Sequence, residues 1–113
     1  MRLQRVRQCV KCPWREGVDP AEIPGGYCRE KHKALKDTLV DEHGQWSGKA
    51  MACHESKPGR EYYCVGWLYN QLGAGNNIPL RFRMLRHKNA HRLQVVGKQR
   101  KTFEETLNLE GSP

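Results

Sequence analysis

The stretch Cys-Val-Lys-Cys-Pro-Trp-Arg at residues 9–15 constrains this chain more than any other. Two thiols three positions apart form a knuckle, a tight turn that aims both sulfurs at one cation while nearby backbone N–H groups stabilise the thiolates. Cysteines that serve only as small apolar core residues need no fixed spacing, so the pairing argues for ligands. A structural zinc site takes four sulfur or imidazole ligands and leaves no position open. The rest of the chain must therefore supply two more.

Size makes such a staple useful. A chain of 113 residues is expected to be one domain over 1–113, and at that length it buries roughly two-thirds of the surface its unfolded form exposes. There is no run of 18 apolar residues, and the start MRLQRVRQC lacks the apolar block of a secretory signal. Both point to a cytoplasmic protein with no membrane partner. Cysteine numbers five, an odd count, and a reducing compartment disfavours disulfides, so closely spaced thiols read as metal ligands or catalytic groups.

Charge is unevenly placed. Lys and Arg outnumber Asp and Glu by 20 to 12, and residues 1–15 and 81–101 hold five and eight basic side chains with no acid in either stretch. That sign favours a polyanion such as nucleic acid. No base-reading motif is present, so the expectation is sequence-independent contact with the phosphate backbone through Arg81, Arg83, Arg86, Lys88 and Arg92. The bland alternative is a solvated basic face. Another is a host protein with an acidic surface, the chain then acting as an inhibitor or modulator.

Local patterning predicts an α+β domain, several short helices and a small sheet held by zinc. Asp19-Pro20-Ala21-Glu22 has helix-starting chemistry. Tyr27–His43 reads as one amphipathic helix on Leu35 and Leu39. Lys49–Cys53 and Arg92–Gly97 read as strands, and Glu61–Leu72 as a helix stopped by Gly-Ala-Gly-Asn-Asn, whose glycines tolerate positive φ. Ile78–His87 suits a helix capped by Asn77, with Ile78, Phe82 and Leu85 on one face, somewhat better than a strand. Thr102–Glu105 is a capping box opening a last helix through Leu107, and the tail 109–113 is expected to fray. His32, His43, His87 and His91 read as surface residues. Trp14 and Trp67 each adjoin a candidate ligand and read as shields against water rather than base-stacking rings.

Two ligand sets complete the knuckle. The local one is Cys9, Cys12, Cys28 and His32, the last two four apart on a helix. The distant one is Cys9, Cys12 and Cys64 with Cys53 or His54, where Cys64 sits near a helix N-terminus that lowers a thiol pKa. All-sulfur ligation would also suit an iron–sulfur cluster. A metal held by three protein ligands beside Glu16, Glu55 or Glu61 would activate water, yet neither H-E-x-x-H nor the zinc-deaminase pattern is present, which favours a non-enzymatic role.

The blocks CVKCPWR, MACHESKPGREYYCVGWLYNQLG and GNNIPLRFRM resemble a family of small uncharacterised phage, prophage and bacterial proteins with the order C-x2-C-P-W, C-H, C-x-G-W, then G-x-N before an Arg-containing helix. The likeness covers residues 9–15 and 51–86. It implies Cys9, Cys12, Cys53, His54 and Cys64 as the metal set, leaves Cys28 and His32 outside it, and suggests an accessory factor acting in the infected cell.

Overall fold

The computed structural model describes residues 2–18, 29–57 and 59–107. Four short α-helices appear among them: α1 (Arg29–Ala34), α2 (Val65–Leu72), α3 (Ile78–Met84) and α4 (Phe103–Thr106). Two 3-10 turns, Leu35–Thr38 and Ala90–Arg92, complete the regular structure.

The expected small sheet is absent among the described residues, so the α+β class is corrected to a small helical domain with isolated β-bridges. Segment 49–53 does pair with 62–64: Cys53 N–H donates to Tyr62 and Cys64 N–H to Met51, flanking the Ala52–Tyr63 bridge. The pairing stops there because Cys53 opens a turn closed by Ser56 N–H, and Cys64 caps α2. Segment 92–97 likewise bridges only once, at Gln94 with Arg7, because the knuckle begins at Cys9 and Gly97 turns with φ of 73°. A ladder needs successive extended pairs, and both segments bend after one.

Tyr27–His43 is not one helix either. Within the described part, α1 tightens into the 3-10 turn and ends at Leu39, whose ψ is 150°. Tertiary partners take over the groups a longer helix would use: the Trp46 indole donates to the Thr38 carbonyl, and Val40 N–H donates to Gln71 Oε1. The helix expected at Asp19–Glu22 and the tail 109–113, expected to fray, lie outside the described residues, as does Cys28.

The shorter signals act as read. Asn77 Oδ1 accepts from Leu80 N–H at 3.1 Å to cap α3, and Thr102 Oγ1 accepts from Glu105 N–H to cap α4. The turn after α2 differs in detail, since the positive φ falls on Asn76 (52°) and on neither glycine. Gly75 is required for closeness instead, because a Cβ there would run into Gln71 and Asn70.

Helix α2 is the hub. Val65, Gly66, Trp67, Leu68, Asn70 and Gln71 are all buried, so the helix is enclosed on most of its circumference. Around it pack Trp14, Met51, Leu80, Met84, Phe103 and Leu107. Full burial of a residue such as Leu68 or Leu80 contributes about 1.5–3 kcal/mol. Among the described residues no helix is long and apolar enough to cross a membrane.

The N-terminal segment lies along residues 89–100. Leu3 N–H meets Asn89, Gln94 N–H donates to Val6, Gln8 N–H to Gln94, Glu16 N–H to Lys98 and Arg100 N–H to Trp14. The reciprocal amide pair Gln8–Gln99 (2.7 and 2.8 Å) locks this register inside the fold. The N-terminal basic stretch therefore runs beside the later part of the second one, residues 89–100.

Candidate metal centre and basic face

Three chain segments deliver the candidate ligand atoms. The knuckle turn, closed by Cys12 N–H to Cys9, supplies Cys9 and Cys12; the turn after the Ala52 bridge supplies Cys53 and His54; the cap of α2 supplies Cys64. The four cysteines are buried and free of disulfides. Cys12 and Cys64, far apart in sequence, bring their sulfurs to 3.7 Å, and His54 Nδ1 lies 3.9 Å from Cys9 Sγ. Ligand atoms of Cys9, Cys53 and His54 all lie within 4.8 Å of one another and could hold a metal ion. Two thiolates on one tetrahedral zinc at about 2.3 Å stand about 3.8 Å apart, so the Cys12–Cys64 spacing already matches one edge of such a site.

The sulfurs influence one another. The Cys64 thiol, then that of Cys9, hold Cys12 below the usual thiol range, and the Cys9 thiol does the same for Cys53. Conversely, Cys12 pushes Cys9 and Cys64 up, with burial adding to both. Cys9 thus joins the Cys12–Cys64 pair to Cys53 and His54. Backbone N–H groups also face the sulfurs: that of Trp14 serves Cys12, that of Glu55 serves Cys53, and that of Trp67 serves Cys64. In two of these the donor lies two residues after the cysteine, which gives the 53–55 turn the character of a second knuckle.

Packing around the cluster is tight. Gly66, on the first turn of α2, lies against Cys12, Gln8 and Trp14, where a Cβ would come within 2.7 Å of each. Trp14 and Trp67 are completely buried. The Trp14 indole donates to Met51 Sδ, and Trp67 stacks in parallel with Tyr63. Arg5 reaches over the site, paired with Glu55 at 2.6 Å and close enough to Cys53 to favour its thiolate.

His32, expected at the surface, is buried instead. Its Nε2 lies 3.1 Å from Thr106 Oγ1 and its ring sits edge-on to Phe103, contacts from elements some seventy residues away. His87 is half-buried edge-on to Tyr63, whereas His43 and His91 are exposed.

The basic residues divide into two groups. Arg81, Arg83, Arg86, Lys88 and Arg92 are all exposed, and none pairs with an acid among the described residues. Arg81 does reach the Leu72 and Gly73 carbonyls, satisfying the end of α2, and Arg83 lies 4.6 Å over the Trp46 ring. Arg15 and Arg100 serve the fold: Arg15 donates to the Val96 and Val10 carbonyls, and buried Arg100 to Pro13 at 2.7 Å. Gly66, Gln8 and Arg100 join the site only in the fold. Only Gly66 carried a signal, the fixed glycine of C-x-G-W.

The sequence model of a family of unknown function (DUF6283) matches residues 4–108. No curated protein and no solved structure matches the chain.

Proposed function

The chain belongs to the family of unknown function DUF6283, and we propose that this member is a metal-tied domain that binds nucleic acid through the phosphate backbone, without sequence preference. The observation that carries this reading is the register of the N-terminal segment beside residues 89–100. It sets the segment that bears exposed Arg2, Arg7 and Lys11 beside the segment that bears exposed Lys88, Arg92 and Lys98, with no acid paired to any of them among the described residues. Unneutralised cations at that density attract a polyanion and release its counterions on contact.

The metal's part is to hold that register. Zinc, bound by Cys9, Cys12, Cys64 and Cys53, would tie the knuckle to α2 and so fix the start of the chain against the core. Cys53 is preferred to His54 because it is buried and its sulfur faces the Glu55 N–H as Cys12 faces that of Trp14. His54, next to Cys9, then acts as an outer partner that orients this thiolate. Four thiolates around a divalent ion leave a dianionic centre, which Arg5 offsets. Structural zinc is worth on the order of 10–16 kcal/mol in small peptides, as much as a whole domain's stability. The setting that fits such chemistry is the cytoplasm, as an accessory factor of phage or prophage type.

The test is an electrophoretic shift with random-sequence DNA and RNA at low and moderate salt, using metal-loaded protein. Binding should weaken steeply as salt rises, and Lys88→Ala with Arg92→Ala should lower the slope of log K against log salt by about 0.7–0.9 for each contact removed. No shift at low salt would sink the reading and leave an acidic protein surface as the partner.

A further inference from the structure

We propose that α3 carries a docking strip for single-stranded nucleic acid, with Phe82 as the ring on which a base stacks. This rests on the nucleic-acid reading above and narrows it to a substrate class. Ile78, Phe82 and Leu85 are 42%, 69% and 80% exposed, and their spacing of four and then three residues puts them on one line along α3 and its C-cap. The opposite side of the helix, Leu80 and Met84, enters the core. Phe82 and Leu85 therefore leave most of their surface, and Ile78 a good part of its own, outside the packing of the described fold, and a contiguous apolar strip of this kind marks a contact surface.

Its surroundings select the occupant. By helical spacing Arg81 falls on one side of the line and Arg86 on the other, with Lys88 just beyond. Between Tyr62 and Phe103 the chain has no Asp or Glu at all. An apolar strip edged by arginines, on a stretch of chain without acids, complements a ligand that combines regular negative charge with flat apolar faces. A single strand offers both, its phosphates to the arginines and its unstacked bases to the ring. A duplex keeps its base faces inside the stack and presents phosphate alone, so an exposed ring gains little from it. Trp14 and Trp67 cannot serve, since both are fully buried. Nor does a second copy suit the strip, because pairing it with itself would set Arg81 and Arg86 of both copies together with no acid between them.

The experiment is fluorescence anisotropy at low salt on the full metal-loaded chain, with a labelled mixed-sequence strand of about 15 nucleotides and the duplex of the same length. The strand should bind roughly tenfold tighter than the duplex. Phe82→Ala should weaken strand binding by roughly fivefold or more, the range seen for loss of one stacked base, while leaving duplex affinity and the salt slope unchanged. Phe82→Trp should keep strand affinity and Phe82→Leu should not, which separates stacking from general apolar contact. The side chain is exposed, so metal content and far-UV dichroism should match the parent in all three variants. Equal affinity for strand and duplex, or indifference to Phe82→Ala, overturns the strip while leaving the basic face standing. No binding of either probe overturns both. Self-association, or capture of an acidic amphipathic peptide, that Phe82→Ala abolishes while strand affinity stays unchanged would assign the strip to a protein surface and overturn the proposal as well.

Discussion

Gly66 lies directly against Cys12: a methyl group on Gly66 would stand 2.7 Å from the Cys12 sulfur, and at the same distance from Gln8 Nε2 and Trp14 Cβ. The knuckle can seat on α2 only because that position has no side chain. Replacing glycine with alanine in an ordinary helix stabilises by about 1 kcal/mol. Here three contacts close at once against a completely buried tryptophan, and overpacking costs about 1–3 kcal/mol. Gly66→Ala should therefore destabilise, lowering the melting temperature and weakening metal retention against a chelator. A variant as stable as the parent would show that the knuckle does not sit on this turn.

The cluster predicts which cysteines hold the metal. Cys12→Ser and Cys64→Ser each remove one end of the 3.7 Å contact, so both should purify with little metal and an unfolded near-UV spectrum, since metal binding and folding are one process in such sites. Cys28→Ser should keep its full complement. Elemental analysis decides the matter, and the parent's absorbance separates colourless zinc from a brown iron–sulfur cluster. A metal-free parent that stays folded would remove the premise.

Cys53 and His54 should differ in kind. If Cys53 is the fourth ligand, cobalt-loaded Cys53→Ser shifts its visible bands and loses thiolate charge-transfer intensity, while His54→Ala keeps the four-sulfur spectrum and binds metal about 10–100-fold more weakly, as loss of an outer-sphere partner does. The opposite pattern would place the imidazole on the ion and free the Cys53 thiol.

What could be read in the sequence was whatever depended on neighbours a few residues away. The knuckle spacing, the Asn77 cap and the Thr102 box are local devices, and each forms where its residues stand. Spacing alone left two candidate ligand sets open; the fold brings Cys12 to Cys64 and gathers Cys9, Cys53 and His54. Long-range partners decided the rest. The helix read through to His43 ends at Thr38 because Trp46 and Gln71 take its end groups. The two strands shrink to single bridges because the site needs turns at Cys53 and Cys9. His32 is buried by Phe103 and Thr106, which no pattern around residue 32 announces. On α3 the periodicity pointed to Ile78, Phe82 and Leu85 as a face, but the core took Leu80 and Met84. Amphipathicity identifies a face, not the direction it looks.

Arg100 and Lys88 should respond oppositely although both are basic residues of the same stretch. Arg100 is buried, its guanidinium donates to the Pro13 carbonyl and its backbone N–H to Trp14, so it clamps the outgoing side of the knuckle. Arg100→Met removes a charge-assisted hydrogen bond and strands a buried carbonyl, a loss of about 1.5–3 kcal/mol, visible as a lower melting temperature with no change in the salt slope of nucleic-acid binding. Lys88 is exposed and has no acidic partner among the described residues. Lys88→Ala should leave the unfolding free energy within about 0.5 kcal/mol of the parent's and lower the slope by about 0.7–0.9. Measuring both quantities on both variants separates charge that builds the fold from charge that meets the partner. If Arg100→Met changed the slope and Lys88→Ala did not, this assignment of the two roles would have to be exchanged.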